Sequence, residues 1–236
     1  MMGAMRKPLI QAPAWPLQPV STDVKVSVEG GVLPGLITVP PHAIGMVLFA
    51  YDSGSDRSNA RDRRLARALN DYGVATLLID LLTGSEHQLG HLACGAHFDI
   101  ELQSERLVEA IDWLESQPEL ERLPIGILGA STGAAVALRA VVARRQRVAA
   151  VVCRSGRPDL AGDALPLVSA PTLFIVDAHD ERVLYQNRQS ARKMHCERCV
   201  QAVPGARHLF EEPGTLDEVA RLAREWFLRH LGIRLH

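Results

Sequence analysis

Residues 129–133 read Gly-Ala-Ser-Thr-Gly, so the serine at their centre has a glycine two positions away on each side. A strand-like apolar run at 125–128 precedes them, and a helix-forming run of small residues follows. In a nucleophile elbow the serine occupies a strained turn between a strand and a helix, and its flanking positions must be small because neighbouring backbones pass closely. Ser131 is therefore a candidate nucleophile, although small residues also cluster at ordinary strand-to-helix turns for packing reasons.

A nucleophilic serine needs a histidine to take its proton and a carboxylate to orient that histidine, and with an elbow of this kind the acid precedes the histidine along the chain. The apolar run at 171–176 is followed by Asp177, Ala178, His179 and Asp180, at the carboxyl end of a predicted strand. We predict Asp180 as the acid, with Asp177 as second choice, because a position a few residues into the loop reaches further. A helix N-cap is the alternative interpretation of Asp180.

Four histidines follow Asp180, at positions 195, 208, 230 and 236. Only His208 falls in a predicted loop, between the apolar run at 199–203 and the last predicted helix. The carboxyl edge of a parallel sheet would present a residue in that loop. We therefore predict the triad Ser131, Asp180 and His208.

The chemistry of this triad is acyl transfer. His208 takes the proton of Ser131, Ser131 attacks a carbonyl carbon, and Asp180 holds the imidazole tautomer and stabilises the imidazolium; water then hydrolyses the acyl-enzyme. The developing oxyanion needs two backbone N–H donors. One is expected from Thr132, the residue after the nucleophile, and the other from the loop at 51–55.

Strand and helix patterns alternate along the chain and must bring these residues to one edge of a sheet. Short apolar runs, typical of strands covered on both faces, occur at 45–50, 74–79, 124–129, 148–153 and 171–176. Apolar residues at three- and four-residue spacing predict helices at 60–72, 98–116, 132–143, 184–195 and 216–231. The alternation predicts a doubly wound, mostly parallel α/β sheet with its ligand site outside the carboxyl ends of the strands.

The N-terminal part of the chain has a different pattern. Residues 24–28 and 35–39 flank a Gly30-Gly31 turn and predict an antiparallel hairpin at the edge of the sheet. Residues 1–20 contain prolines and lack the apolar stretch of a secretory signal, so we expect a flexible arm. With no repeat, residues 21–236 are expected to form one domain, and a 47% hydrophobic content suffices for its core.

Composition excludes several classes of partner. The formal net charge is −1 with both signs mixed along the chain, which argues against nucleic acid and anionic membrane surfaces. No run approaches the roughly 18 apolar residues of a membrane-spanning helix. Four cysteines are too few for a disulfide-built scaffold of this length. We expect a soluble, cytoplasmic protein and leave a homodimer open.

Two weaker signals could indicate metal or redox chemistry. Cys196 and Cys199 form a single C-x-x-C, for which chance spacing is the favoured interpretation because no second pair exists. His87, His91 and His97 lie close together, but without a carboxylate at matching spacing we interpret their segment as a mobile flap near the site. No metal and no organic cofactor are expected.

Several separated blocks of the chain resemble one known family. The segments 126–138, 154–160 and 208–214, together with 77–83 and 98–100, resemble the dienelactone hydrolase-like branch of the α/β-hydrolase superfamily. The resemblance extends from about Val24 to the C-terminus. It implies a small hydrolase of the α/β-hydrolase fold without a cap domain, with the triad Ser131, Asp180 and His208. It does not imply a substrate.

The chain departs from the family pattern at two places. In true dienelactone hydrolases the family pattern at the elbow is a cysteine nucleophile. Because this chain has Ser131 there, it resembles the relatives that use serine. Related sequences place a His-Gly pair where this chain has Tyr51-Asp52, beside the second oxyanion donor, which we assign to Ser53. A carboxylate about 5 Å from the oxyanion would repel it by roughly 3 kcal/mol at an effective dielectric of about 20, and so destabilise the transition state.

The alternative is that the Asp52 side chain points away from the oxyanion position. In that case it would pair with Arg57 or Arg61.

The sequence thus predicts a serine hydrolase of a small or medium carboxylic ester or lactone. Two other functions stay open. One is a binding or interaction protein of hydrolase fold whose catalysis is impaired by Asp52. The other is an acyltransferase that passes the acyl group from Ser131 to an alcohol or amine.

Overall fold

The computed structural model describes residues 18–51, 57–86 and 99–232. Within these ranges the chain forms a single eight-stranded sheet with helices on both faces. The strands are β1 (Val20–Val28), β2 (Gly31–Val39), β3 (Gly45–Ala50), β4 (Val74–Ile79), β5 (Ile125–Ala130), β6 (Val148–Arg154), β7 (Thr172–Asp177) and β8 (Arg198–Val203). The helices are α1 (Ala60–Asn70), α2 (Ile100–Glu115), α3 (Gly133–Ala143), α4 (Glu181–Arg192) and α5 (Thr215–Leu231), with a kinked 3₁₀ segment at Pro158–Leu167.

The strands lie in the order β1-β2-β4-β3-β5-β6-β7-β8. β1 pairs antiparallel with β2, β2 pairs antiparallel with β4, and all other neighbours are parallel. Ala50 pairs with Gly129 across β3 and β5, and Ala130 pairs with Arg154 across β5 and β6. These registers bring the carboxyl ends of the three strands together. Loops that leave these ends therefore meet at one edge of the sheet, as the alternation of strand and helix predicts.

The near-continuous apolar runs of the central strands are explained by burial on both faces. In β3, Met46 and Leu48 pack into one buried cluster with α2 and α3, whereas Val47 and Phe49 pack into another with α1 and α5. Successive side chains of a strand point to opposite faces, so a strand between two layers of helices must be apolar at every position. The α3 helix, almost all Ala, Val and Leu, is buried along most of its length against that sheet.

The predicted doubly wound, mostly parallel α/β sheet with an N-terminal antiparallel hairpin is confirmed. The hairpin strands are longer than predicted, and β1 lies at the edge of the sheet as expected. The helix predicted at 184–195 instead spans Glu181–Arg192, because the Asp180 side chain caps it three residues earlier. None of the described helices is long and apolar enough to cross a membrane. The flexible arm stays a prediction, since residues 1–17 lie outside the described part.

Candidate active site

Ser131 lies between the end of β5 and the start of α3, in the turn that the glycine pattern predicts. Its φ of 52° is in the left-handed region, which non-glycine residues rarely adopt and which costs free energy. The Ser131 N–H donates to the carbonyl of Arg154 at 3.2 Å, and its own carbonyl accepts from Ala134 at 3.2 Å and from Arg157 at 2.9 Å. The elbow backbone is therefore held by β6 and by the loop after it.

Both flanking glycines are required by the close approach of other backbone atoms. A Cβ on Gly129 would lie 2.8 Å from the Cα of Ala134, and a Cβ on Gly133 would lie 2.6 Å from the carbonyl oxygen of Tyr51. Real Cβ atoms do not approach backbone atoms this closely. The glycines thus allow α3 to begin directly against the end of β3, and this position of the helix forces the sharp turn at Ser131.

His208 lies in the loop between β8 and α5 and is exposed. It lines a cavity of about 60 Å³ together with Ser131, so the structure brings the predicted nucleophile and the predicted base to one place. The same loop is anchored by Phe210, which is 2% exposed. A ring nitrogen of His179, Nδ1, lies 2.8 Å from the carbonyl oxygen of Ala206.

A carboxylate also braces the His208 loop. The backbone N–H of Arg207 donates to Glu212 at 3.0 Å, and this hydrogen bond holds the pKa of Glu212 below its ordinary value. The loop that carries the predicted base therefore has a charged contact next to His208.

Asp180 lies at the N-terminus of α4, where one carboxylate oxygen accepts from the backbone N–H of Val183 at 2.9 Å. Its own N–H donates to Asp177 at 2.8 Å. Among the described residues no hydrogen bond joins Asp180 to His208. The structure thus places Asp180 as the N-cap, the alternative that the sequence offered, and its role as triad acid stays a prediction.

Asp177, the second choice for the acid, is 1% exposed and ends β7. It accepts hydrogen bonds from the Asp180 N–H and, at 3.4 Å, from the hydroxyl of Ser155. Ser155 lines the same cavity as Ser131 and has a φ of 38°. Asp177 therefore connects the end of β7 to the loop that carries Asp180 and to Ser155, the residue after β6.

The two predicted oxyanion donors differ in what can be described. Thr132 immediately follows Ser131 and caps α3 with helical φ and ψ of −63° and −29°. The N-terminus of a helix favours negative charge, so this position suits an oxyanion donor. Ser53 and Asp52 lie outside the described residues. Arg57 and Arg61, named above as partners for Asp52, form ion pairs with Asp80 at 2.7 Å and with Glu211 at 2.9 Å.

The structure adds a feature that sequence reasoning missed. Arg154, the last residue of β6, forms an ion pair at 3.0 Å with Asp62 in the first turn of α1, and both side chains line the cavity beside Ser131. Their side chains are 11% and 2% exposed. Arg154 directly follows the predicted strand at 148–153, and this position at the carboxyl end of a strand is the sequence signal that could identify it.

The two sequence signals for metal and redox chemistry fall in different parts of the chain. No group of three potential metal ligands occurs among the described residues, and His87, His91 and His97 lie outside the described ranges. Cys196 and Cys199 are free thiols. Cys153 is buried in β6, and burial raises the pKa of its thiol well above the ordinary value, which disfavours the reactive thiolate.

Comparisons with known proteins extend these observations. Residues 105–213 match the family model described as BAAT / Acyl-CoA thioester hydrolase C terminal. A dienelactone hydrolase from Anabaena variabilis is 46% identical, with a TM-score of 0.89 over 90% of this chain and 99% of that one. Est1E from Butyrivibrio proteoclasticus is 15% identical with a TM-score of 0.74, over 89% of this chain and 98% of that one, and shows likeness of fold alone.

Two Mycobacterium tuberculosis sequences, provisionally named phosphoribosyl transferase, are 47% identical over 215 residues. The match covers 90% of this chain and 48% of each relative. This chain therefore spans about half the length of the curated relatives that it matches.

Proposed function

We propose that this chain, which belongs to the dienelactone hydrolase-like branch of the α/β-hydrolase superfamily, hydrolyses a small or medium carboxylic ester, lactone or thioester through an acyl-enzyme on Ser131. The observation that carries the proposal is the strained elbow. Ser131 has a φ of 52°, and it shares a cavity with His208. Strain of this kind persists only where the surroundings impose it, and it clusters at active sites.

In the proposed mechanism His208 accepts the proton of Ser131 Oγ while Oγ attacks the substrate carbonyl carbon. The carbonyl oxygen becomes an oxyanion, for which the N–H groups of Thr132 and Ser53 are the proposed donors. The tetrahedral intermediate collapses, the bond to the leaving alkoxide or thiolate breaks, and His208 returns the proton to it. Water, deprotonated by His208, then attacks the acyl-enzyme and releases the acid.

Asp180 has two roles in this mechanism. One carboxylate oxygen caps α4 through Val183. The other accepts the imidazole N–H of His208 and stabilises the imidazolium. In free enzymes such catalytic hydrogen bonds are often long and tighten in the complex with substrate, so the cap and the acid are compatible roles for one carboxylate.

Thioesters belong in the proposed substrate class because of the family model. The match at 105–213 includes Ser131, Asp180 and His208. A thiolate leaves more readily than an alkoxide and needs less protonation, so the same site can act on both. The name phosphoribosyl transferase belongs to relatives about twice as long, and we propose no phosphoribosyl transfer for this chain.

The test is hydrolysis of short p-nitrophenyl acyl esters and of the matching acyl thioesters by the wild-type protein and by Ser131→Ala. Ser131→Ala is expected to lose at least about 10³-fold in kcat, because the covalent route disappears. Full activity of Ser131→Ala on both classes of substrate would overturn the proposal.

The rival function is a binding protein with impaired catalysis, and Asp52 is the observation that favours it. Related sequences have a glycine at this position. A carboxylate beside the oxyanion would raise the free energy of the transition state by roughly 3 kcal/mol, which would slow turnover by about two decades. Asp52→Gly distinguishes the two functions. A large gain in kcat from an almost inactive wild type favours the rival, whereas an active wild type with little gain favours the hydrolase.

A further inference from the structure

Arg154 is connected to the nucleophile and to α1 at the same time. Its backbone carbonyl accepts the hydrogen bond from the N–H of Ser131 at 3.2 Å. Its side chain forms the ion pair with Asp62 across the cavity at 3.0 Å. A single residue therefore joins the elbow to the helix on the opposite side of the site.

This ion pair is a poor candidate for stabilising the fold. Both side chains are almost fully removed from water, and the cost of desolvating two charges can equal or exceed their attraction. The Nη1 atom of Arg154 is buried and has no hydrogen-bond partner among the described residues, which adds to that cost. Because the ion pair adds little stability, we look for its role in the positioning of the groups that it connects.

The place of Asp62 supplies such a reason. It is the third residue of α1, where a carboxylate interacts favourably with the helix dipole. The neighbouring Arg61 forms an ion pair at 2.9 Å with Glu211, in the loop that carries His208. The first turn of α1 thus contacts the Ser131 side of the site through Asp62 and the His208 side through Arg61.

The two contacts differ in strength. Glu211 is 68% exposed, and ion pairs so open to solvent contribute little. The buried contact through Asp62 is geometrically restrictive, because a guanidinium enclosed by protein has few alternative positions. The ion pair of Arg154 with Asp62 therefore restricts the position of the first turn of α1 relative to the elbow.

We propose that Arg154 is a positioning residue for the reaction at Ser131. Through Asp62 it fixes α1 against the carboxyl ends of β5 and β6, and so holds the Ser131 backbone in register with the loop of His208. The inference rests on the proposed function. Because Arg154 acts through the elbow backbone, its loss lowers kcat, whereas a residue that bound substrate directly would chiefly raise KM.

The experiment compares Arg154→Met, Arg154→Lys, Asp62→Leu and the double variant Arg154→Met/Asp62→Leu with the wild type. Arg144→Met is the matched control, since Arg144 pairs with Asp112 at 2.5 Å at the far end of α3. Active sites are counted by titration with a fluorophosphonate, and kcat and KM for a neutral and an anionic ester are expressed per titrated site. A purely structural role would lower the number of sites and leave kcat per site unchanged.

Arg154→Met is expected to lower kcat per site about 10- to 100-fold, the effect of a displacement of about 1 Å at a reacting group, with KM within about three-fold. Arg154→Lys should recover part of the loss, and the double variant should be no worse than Arg154→Met, because the two side chains act as one unit. Arg144→Met should stay within two-fold of the wild type.

An unchanged kcat per site in Arg154→Met would overturn the inference. So would a rise in KM confined to the anionic ester, which would make Arg154 a substrate contact, or losses in the double variant that multiply. If Arg154→Met does not fold, Arg154→Lys and Asp62→Asn are measured instead. The inference then requires a lower kcat per site with little change in KM in these two variants. A wild type that is neither titrated nor active overturns the proposed function itself, and that outcome is seen before any variant is compared.

Discussion

Gly133 lies directly against the carbonyl oxygen of Ala50, the last residue of β3, with no room between them for a Cβ atom. Gly133 is the first residue of α3, so this contact sets how closely the helix after Ser131 approaches the neighbouring strand. The obstructing atoms belong to backbone and cannot rotate away. The turn at Ser131 thus depends on a glycine two residues further along the chain.

Replacing Gly133 by alanine should therefore damage both stability and the site. We expect a loss of about 3 kcal/mol in the free energy of unfolding, the upper end for over-packed positions. Urea unfolding measures this loss, and a fluorophosphonate titration measures the fraction of sites that remain. Gly84→Ala is the control, because a Cβ built there would meet no heavy atom of the described residues within 4 Å, apart from its chain neighbours. A Gly133→Ala variant as stable and as readily titrated as Gly84→Ala would contradict the close contact.

Asp180 allows its two roles to be separated by substitution. Asparagine caps helices about as well as aspartate, so Asp180→Asn should keep the free energy of unfolding within about 0.5 kcal/mol, whereas Asp180→Ala should lose about 1 kcal/mol. If Asp180 also orients His208, Asp180→Asn should lower kcat about 10³- to 10⁴-fold.

The comparison variant for the acid is Asp177→Asn, which alters the buried carboxylate beside it. It is expected to reduce kcat less than Asp180→Asn does. The opposite ranking would assign the acid to Asp177.

His230 gives the protein a component of acid sensitivity far from the elbow. Burial lowers the pKa of its imidazole, Glu197 opposes this at 3.9 Å, and the ring packs on Trp226 at a centroid distance of 4.5 Å. The unfolded chain takes up the proton near the ordinary pKa of about 6.5, before the folded protein does. This contribution to stability is therefore complete above that pH and declines as the pH falls toward the lowered folded pKa.

His230→Phe should remove this component. The urea midpoint of the wild type should fall more between pH 8 and pH 5.5 than that of the variant, while the exposed His195→Phe should behave like the wild type. Parallel pH profiles for His230→Phe and the wild type would show that the buried imidazole does not titrate in this way.

The fold was predictable because its signals are local. Apolar runs in β3, β5 and β6 reflect burial on both faces, and the glycines around Ser131 reflect contacts made within a few residues of the turn. The strand order was not predictable from periodicity, since nothing in the run at 74–79 indicates that β4 lies between β2 and β3. The predicted start of α4 lies three residues too late, because the spacing of apolar residues does not mark the N-cap, which Asp180 provides.

The sequence also predicts two residues that lie at the same cavity. Ser131 and His208 follow from a turn pattern and from the elimination of helical histidines, and the structure places both at one cavity. Arg154 and Asp62 are far apart in sequence, and a charged residue in an amphipathic helix such as α1 ordinarily faces water. Only the packing of α1 against the sheet shows that this pair is buried.

The most direct test of Ser131 as the nucleophile is covalent labelling of the native protein by a fluorophosphonate, with the modified residue located by peptide mass spectrometry. We expect stoichiometric labelling of Ser131, loss of labelling in Ser131→Ala and in heat-denatured protein, and strongly slowed labelling in His208→Ala. Modification of another serine, or an unlabelled Ser131 in folded protein that nonetheless hydrolyses acyl esters, would contradict this role of Ser131.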